Sequence, residues 1–241
     1  MSHLSIGHLY TALHGACASA VARIIEAHGV DVSYVDLAME DRQEALETAE
    51  IDLLVSAWMP RDSNVLVEGG EVFGDIYRPQ AAFAALTGKK IPSGWMGKEF
   101  SRIIASEEAQ ELVQSARVAR SDLGALPLEI LGDAALFGHV QKASQDGDNP
   151  LIIAWQPHAV FHTDWLQMLP DDAGLLGGEL KAQFVLRSGV RQQMDDDLYD
   201  ELAGMMLGNR VMSALDYAVS VDGLDPESAA ESWQRGRLIG R

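Results

Sequence analysis

The sequence predicts an α/β protein of two lobes, with the second lobe inserted into the first. Short strand-like apolar segments alternate with amphipathic helical segments over the first sixty residues. Further strand-like segments follow after residues 150 and 180, and the carboxyl-terminal part reads as helical. Such alternation is typical of a mainly parallel sheet flanked by helices. We assign residues 1–85 and 178–241 to lobe 1 and residues 86–177 to lobe 2.

The amino-terminal elements follow from periodicity. Apolar residues on one face predict a helix over residues 12–28, and Gly29 ends it. An acidic helix is predicted over residues 39–50, and the strands are expected at 4–9, 30–37 and 51–58. This order indicates right-handed crossovers between parallel strands.

The remaining elements are less regular. A glycine-flanked loop leads into a helix predicted to begin near Gly97. A short helix–strand unit is expected over 121–132, followed by a helix over 132–147 and strands over 150–155 and 180–190. The end of the chain is helical, with Asp225 as an N-cap before Pro226.

Composition restricts the possible functions. The 241 residues, 47% of them hydrophobic, suffice for one large domain or two ordinary lobes. Acidic residues outnumber basic ones 36 to 18, and a net charge of −18 repels phosphate backbones, so we expect no nucleic-acid partner. The one cysteine, Cys17, allows no intrachain disulfide, and its alanine-rich surroundings favour a buried thiol over a nucleophile.

The first residues do not read as an export signal. No Lys or Arg precedes Arg23, and three histidines interrupt the apolar region. We therefore interpret this segment as mature protein, from a cytoplasmic chain or from one whose signal peptide is not present here.

Three tryptophans stand where an α/β protein binds ligands. Trp58 and Trp155 close predicted strands, each is followed two residues later by proline, and Trp95 lies in the loop "SGWMG". Ligands of open α/β sheets bind beyond the carboxyl ends of the strands. Indole is the best cation–π partner among side chains, so the three rings predict an aromatic cage for a quaternary ammonium group. The alternative is that each tryptophan is a core residue.

Met96 and Gly97 follow Trp95 at the predicted helix start. Free N–H groups there would favour a carboxylate, and glycine permits close backbone approach. A cage beside such amides would suit a zwitterion.

Taken together, "AEIDLLVSAWMP", "PSGWMG", "LIIAWQPHAVFHTDWLQMLPDD" and "DPESAAESW" resemble the substrate-binding proteins of glycine betaine, proline betaine and choline ABC transporters. The resemblance implies a two-lobed type II periplasmic-binding-protein fold with a ligand cleft between the lobes. It implies a monomer without cofactor or catalysis, working outside the cytoplasmic membrane. Its partners would be a quaternary ammonium osmolyte and the transporter's membrane permease.

The resemblance also implies roles for single residues. Trp58, Trp95 and Trp155 would line the cage, and the Met96 and Gly97 amides would bind a carboxylate. His158 would add a donor. Asp62 stands where some family members have a carboxylate-binding histidine, and it could instead accept a hydrogen bond from choline's hydroxyl group.

Other readings stay open. The same cleft could serve an α/β enzyme with His158 as acid or base, or a cytoplasmic sensor domain. His158 and His162 are spaced for metal ligation on one helical face, with Asp164 nearby, but no third ligand can be located. The sequence shows no nucleophile elbow or phosphate loop, which favours a binding protein.

Overall fold

The computed structural model describes residues 2–238, which form ten strands and eight α-helices. In chain order these are β1 (His3–Leu9), α1 (Ala12–Ala27), β2 (Asp31–Leu37), α2 (Arg42–Glu47), β3 (Leu53–Met59), β4 (Glu71–Tyr77), β5 (Gln80–Leu86), β6 (Ile103–Ser106), α3 (Gln110–Ala119), α4 (Ser121–Gly124), β7 (Leu128–Leu131), α5 (Asp133–Asp146), β8 (Leu151–Gln156), β9 (Leu166–Leu169), β10 (Lys181–Leu186), α6 (Asp196–Gly204), α7 (Gly208–Ser220) and α8 (Pro226–Gln234). Within this described range, no helix has both the length and the apolar character that a bilayer span requires.

The chain divides into two compact units. Unit 1 comprises the described residues through Pro79 and those from Leu180 onward, and unit 2 comprises Gln80–Glu179. The boundaries expected from the sequence were after residue 85 and before residue 178. The earlier first boundary has a physical reason, because β5 pairs with β8 and β9 and so belongs to the second sheet.

Unit 1 contains a five-stranded sheet in the order β2-β1-β3-β10-β4. Only β10 runs antiparallel to its neighbours, so the other four strands share one direction and their carboxyl ends lie at one edge. Helix α1 packs against this sheet and against α7 and α8. Its apolar face is buried as the periodicity predicted.

Unit 2 repeats this topology with a second sheet in the order β7-β6-β8-β5-β9. Here β5 is the one antiparallel strand, and the carboxyl ends of the other four again share an edge. The core between this sheet and α5 is built from aliphatic residues, which include Leu86, Ile104, Leu136, Val140 and Ile152.

Most predicted elements are confirmed. The strands and helices of the first sixty residues are present, although the acidic helix is only Arg42–Glu47. The N-cap at Asp225 is also confirmed, since its carboxylate accepts the Ser228 N–H at 2.9 Å. The helix predicted from Gly97 is wrong: only Gly97–Glu99 form a single 3-10 turn, and Ile103–Ser106 is a strand.

Candidate ligand-binding residues

Trp58 lies at the carboxyl end of β3, and an irregularity in that strand directs its side chain. The pairing register of β3 with β10 shifts between Gln183 and Val185, so one residue of β10 faces two of β3. Ser56, one of those two, has a φ of 68°, which is rare for a residue other than glycine. A bulge of this kind bends a strand and re-aims the side chains that follow it.

The Trp58 ring is buried and held on several sides. Its Nε1–H donates to the Tyr77 hydroxyl at 2.9 Å, and the two rings meet edge to face. The His14 ring lies 6.0 Å away, centroid to centroid. The Arg61 guanidinium carbon lies 4.4 Å from the indole centroid, within cation–π range.

Asp62 is buried beside Trp58 and bonds within the protein. Its Oδ2 accepts from Arg42 Nη1 and from the Trp58 N–H, both at 2.8 Å. Its own N–H donates to the Trp58 carbonyl at 2.9 Å, which closes a ring over residues 58–62. Burial by itself raises the pKa of Asp62, but the bonds from Arg42 and Trp58 and the charges of Arg42 and Arg61 hold it below its usual value.

In unit 2, Trp95 lies at the edge formed by the carboxyl strand ends. Its Nε1–H donates at 3.1 Å to the carbonyl of Pro170, the residue after β9. Phe83 and Phe100 contact its ring edge to face, with centroids at 5.0 and 5.7 Å. The Arg120 guanidinium carbon lies 4.3 Å from the indole centroid.

Trp155 is the second predicted cage residue of unit 2. It precedes the last residue of β8, is 8% exposed, and donates its Nε1–H to the Glu108 carbonyl at 3.3 Å. The peptide bond before the following Pro157 is cis, as is the bond before Pro60 in the other Trp-x-Pro segment.

The Met96 and Gly97 amides already have acceptors. Met96 N–H donates to Glu99 Oε2 at 2.7 Å, and Gly97 N–H donates to Asp122 Oδ2 at 2.6 Å. The amides do not belong to a long helix, so the helix dipole expected from the sequence is absent at this position.

His158 was expected on one helical face with His162, but it precedes a 3-10 helix that begins at Ala159. Its Nδ1 accepts the Val160 N–H at 3.1 Å, and its Nε2 lies 3.8 Å from an Asp133 carboxylate oxygen. Across residues 2–238 no group of three or more His, Cys, Asp or Glu side chains is placed to hold a metal ion, so His158 and His162 have no third ligand there.

Sequence reasoning did not identify several residues around the tryptophans. They are the aromatic and charged neighbours supplied by other elements: His14, Arg42, Arg61, Phe83, Phe100, Arg120 and Asp122. The one sequence signal for these neighbours was an arginine followed closely by an aspartate, at Arg61 and Asp62 after Pro60 and again at Arg120 and Asp122.

Two units of one strand order, each with tryptophan at the carboxyl edge of its sheet, define a type II periplasmic binding protein. The predicted fold class is thus confirmed. The family model for the substrate binding domain of the ABC-type glycine betaine transport system matches residues 3–235, so the chain belongs to that family. The resemblance inferred from the motifs, and the substrate-binding role it implied, are confirmed at this level.

Solved structures share the fold at low sequence identity. Lactococcal OpuAC in complex with glycine betaine has a TM-score of 0.77 and 17% identity, over 99% of this chain and 98% of that one. An ABC-transporter choline binding protein in complex with choline gives 0.69 and 17%, over 98% and 88%. The ProX protein of Borrelia burgdorferi gives 0.71 and 16%, over 96% and 92%. No curated protein matches at the level of sequence.

Proposed function

We propose that this protein binds a small quaternary ammonium compound and delivers it to the membrane permease of an ABC transporter, as a monomer outside the cytoplasmic membrane. Family membership supports the transport role. The glycine betaine and choline held by the two similar structures support this ligand class. Trp58, Trp95 and Trp155 are the proposed cage residues.

The observation that carries the proposal is how the three rings are fixed. Each indole N–H is hydrogen-bonded, to the Tyr77 hydroxyl, the Pro170 carbonyl or the Glu108 carbonyl. All three rings lie at the carboxyl edge of their own sheet, where α/β proteins bind ligands. A quaternary nitrogen cannot donate an N–H hydrogen bond, so preset π faces are the chemistry that suits it.

Sheet geometry in unit 2 supports this reading. Trp155 lies at the end of β8, Trp95 is anchored after β9, and β5 separates these two strands. Strands two positions apart lie about 10 Å from each other. Both tryptophans of unit 2 are therefore held at the same edge of one sheet, where α/β proteins bind ligands.

The other predicted contacts remain proposals of lower rank. His158 is buried, with its Nε2 3.8 Å from an Asp133 carboxylate oxygen, and it is proposed as a donor to the ligand. Asp62 is the acid nearest to Trp58, and its charge is shared between Arg42 and Arg61. Direct contact by Asp62 is therefore a weaker proposal than the positioning of Trp58.

The test is a thermal-shift and calorimetric panel of glycine betaine, choline, carnitine and acetylcholine. At least one compound should bind, and a ligand at 100 times its dissociation constant should stabilise the fold by about 2.7 kcal/mol. The Trp155→Ala variant should lose that shift. Trp165→Ala is the matched control, because Trp165 belongs to the same unit and packs on Phe137.

Three results would count against the proposal. Absence of binding by every compound would remove the ligand class. Turnover of a bound compound, followed by proton NMR over several hours, would favour the enzyme reading instead. Equal loss of binding in the Trp155 and Trp165 variants would show a general packing effect and no cage.

A further inference from the structure

The backbone amides beside Trp95 are occupied by carboxylates of the protein itself. Gly97 N–H donates to Asp122 Oδ2 at 2.6 Å and Met96 N–H donates to Glu99 Oε2 at 2.7 Å. Glu99 also closes a capping arrangement, since its own N–H donates to the Met96 carbonyl at 3.1 Å. Both donors are therefore used in the position where a ligand carboxylate would be expected to bind.

Asp122 is held firmly in this position. Arg120 Nη2 donates to Asp122 Oδ2 at 2.6 Å and Arg120 Nε donates to Oδ1 at 3.1 Å. These Arg120 hydrogen bonds, together with the Gly97 N–H, lower the pKa of Asp122 to about 2 against the opposing effect of partial burial. The same guanidinium donates to the Trp95 carbonyl at 3.2 Å and stacks on the indole. Asp122 is thus ionised at neutral pH and tied to the Trp95 ring through Arg120.

The glycine at position 97 is explained by this internal contact. A Cβ atom built on Gly97 would lie 2.3 Å from the Asp122 carbonyl oxygen. Real Cβ atoms do not approach backbone atoms so closely, so only glycine lets the segment around Asp122 reach the amide. Close approach of a ligand is not needed to account for it.

We infer that Asp122 and Glu99 take the place of a ligand carboxylate on the Gly97 and Met96 amides, so that the protein selects quaternary ammonium ligands with a neutral or hydroxyl-bearing tail. The inference rests on the proposed function and names the ligand class within it. A ligand carboxylate would have to displace one acid and lie beside the other, at a cost in charge repulsion and lost hydrogen bonds. A neutral tail meets neither penalty.

The experiment compares choline with glycine betaine by isothermal titration calorimetry. The wild-type protein should bind choline more tightly by about tenfold or more, because a hydrogen bond to a charged group is worth at least that factor. Glu99→Ala and Asp122→Ala each free one amide, so each should move the choline-to-betaine affinity ratio toward betaine by about tenfold. Glu99→Ala carries the test alone if the Asp122 variant does not fold.

Asp148→Asn is the matched control. Asp148 lies in the same unit, pairs with Arg102, and accepts the Ser101 hydroxyl at 2.7 Å and the Asn149 N–H at 2.8 Å; among the described residues, none of these partners lies in the loop of residues 93–97. Its loss should leave the affinity ratio unchanged. Betaine binding to the wild type as tightly as choline, or a ratio unmoved by either alanine variant, would overturn the inference while leaving the proposed function intact. Binding of neither compound would also overturn the inference, whereas the proposed function falls only if carnitine and acetylcholine fail to bind as well.

Discussion

The buried histidine beside Trp58 should make the protein sensitive to mild acid. His14 lies in α1 with 5% of its surface exposed, and its Nδ1 lies 2.7 Å from the Thr11 hydroxyl. Burial lowers the pKa of His14 to about 3; Asp62 opposes this effect, and the charges of His8, Arg42 and Arg61 add to it. The imidazole is therefore neutral in the folded protein throughout the physiological range.

The sign and size of the effect follow from linkage. Between the unfolded pKa of 6.5 and the folded pKa of about 3, the unfolded chain holds a proton on this ring that the folded chain lacks. The free energy of unfolding therefore falls as the pH falls through this window, by up to about 1.4 kcal/mol per pH unit. At pH 5 the loss from this one group is about 2 kcal/mol relative to pH 8.

The assay is urea unfolding at several pH values between 8 and 4.5, followed by tryptophan fluorescence and circular dichroism together. His14→Gln removes the titrating group, so the fall in unfolding free energy between pH 8 and pH 5 should be smaller by about 2 kcal/mol than in the wild type. Thr11→Ala is the matched control, because it removes the hydroxyl partner and the N-cap but keeps the imidazole. The Thr11→Ala variant should lose about 1 kcal/mol of unfolding free energy and keep the slope of this free energy against pH. Identical slopes in the wild type and His14→Gln would refute the assignment of a buried neutral imidazole.

Two further predictions concern stability and are checked by urea unfolding at pH 7.5. Asp62→Ala should lower the free energy of unfolding by about 3–5 kcal/mol because it leaves the buried Arg42 guanidinium without its carboxylate. The control Asp52→Asn weakens the more exposed pair with Arg187 and should lower it by about 1 kcal/mol. Equal losses would show that burial gives the Arg42–Asp62 pair no added importance. Gly97→Ala should lower the free energy of unfolding by about 1–3 kcal/mol because its Cβ would clash with the Asp122 backbone. The control Gly94→Ala has open space at its Cβ and should change this free energy by less than about 0.5 kcal/mol. A neutral Gly97→Ala variant would contradict the close approach.

The first sixty residues were predictable because every element there carries its own periodic signal. Helix α1 has an apolar face and a stop at Gly29, whose φ of 76° suits glycine. Strands β1 and β3 are short apolar runs between turn signals. Local pattern and tertiary packing agree in this part, so the pattern sufficed.

The segment after Gly97 misled prediction for a physical reason. Phe100, Ile103 and Ile104 are spaced as on a helix, but Phe100 packs on Trp95 and the two isoleucines belong to β6. Strand β6 lies inside its sheet, between β7 and β8, and all four of its residues are buried, so its sequence lacks the alternation of a half-exposed strand. Periodicity cannot separate such a run from a helix, and only the pairing with β7 and β8 decides it.

Strands β4 and β5 were not predicted because adjacent segments enter different sheets. Strand β4 pairs with β10, and β5 pairs with β8 and β9. Gly74 interrupts the alternation in β4 with a φ of 68°, where a Cβ would lie 2.9 Å from the Phe184 ring. These partners are 68 to 115 residues apart along the chain, as the pairing registers show, and no local pattern encodes them.

The tryptophans could be found from the sequence, but their immediate partners could not. Proline two residues after a strand-closing tryptophan is a local signal, and it located Trp58 and Trp155. The cation on Trp95 comes from Arg120, and the acid–base pair behind Trp58 includes Arg42 in α2. Both arginines lie on other elements and reach the rings only through the fold.

The two units have the same local chemistry around Trp58 and Trp95. In each, an arginine lies on a tryptophan ring and is paired with an aspartate one or two residues away: Arg61 with Asp62 on Trp58, and Arg120 with Asp122 on Trp95. The sequences that build the two groups are unrelated, as are the elements that carry them. The shared feature is a cation stacked on an indole with its counter-charge beside it.

A stacked guanidinium changes what a ligand gains from the ring. An indole face offers up to about 2 kcal/mol to a desolvated cation, and here the protein's own cation already takes part of it. A quaternary ammonium group must use the opposite face or displace the arginine. Displacement would break hydrogen bonds that hold the arginine, such as the one from Arg120 Nη2 to the Trp95 carbonyl at 3.2 Å, so in the proposed cage we expect the ligand on the opposite face of the ring.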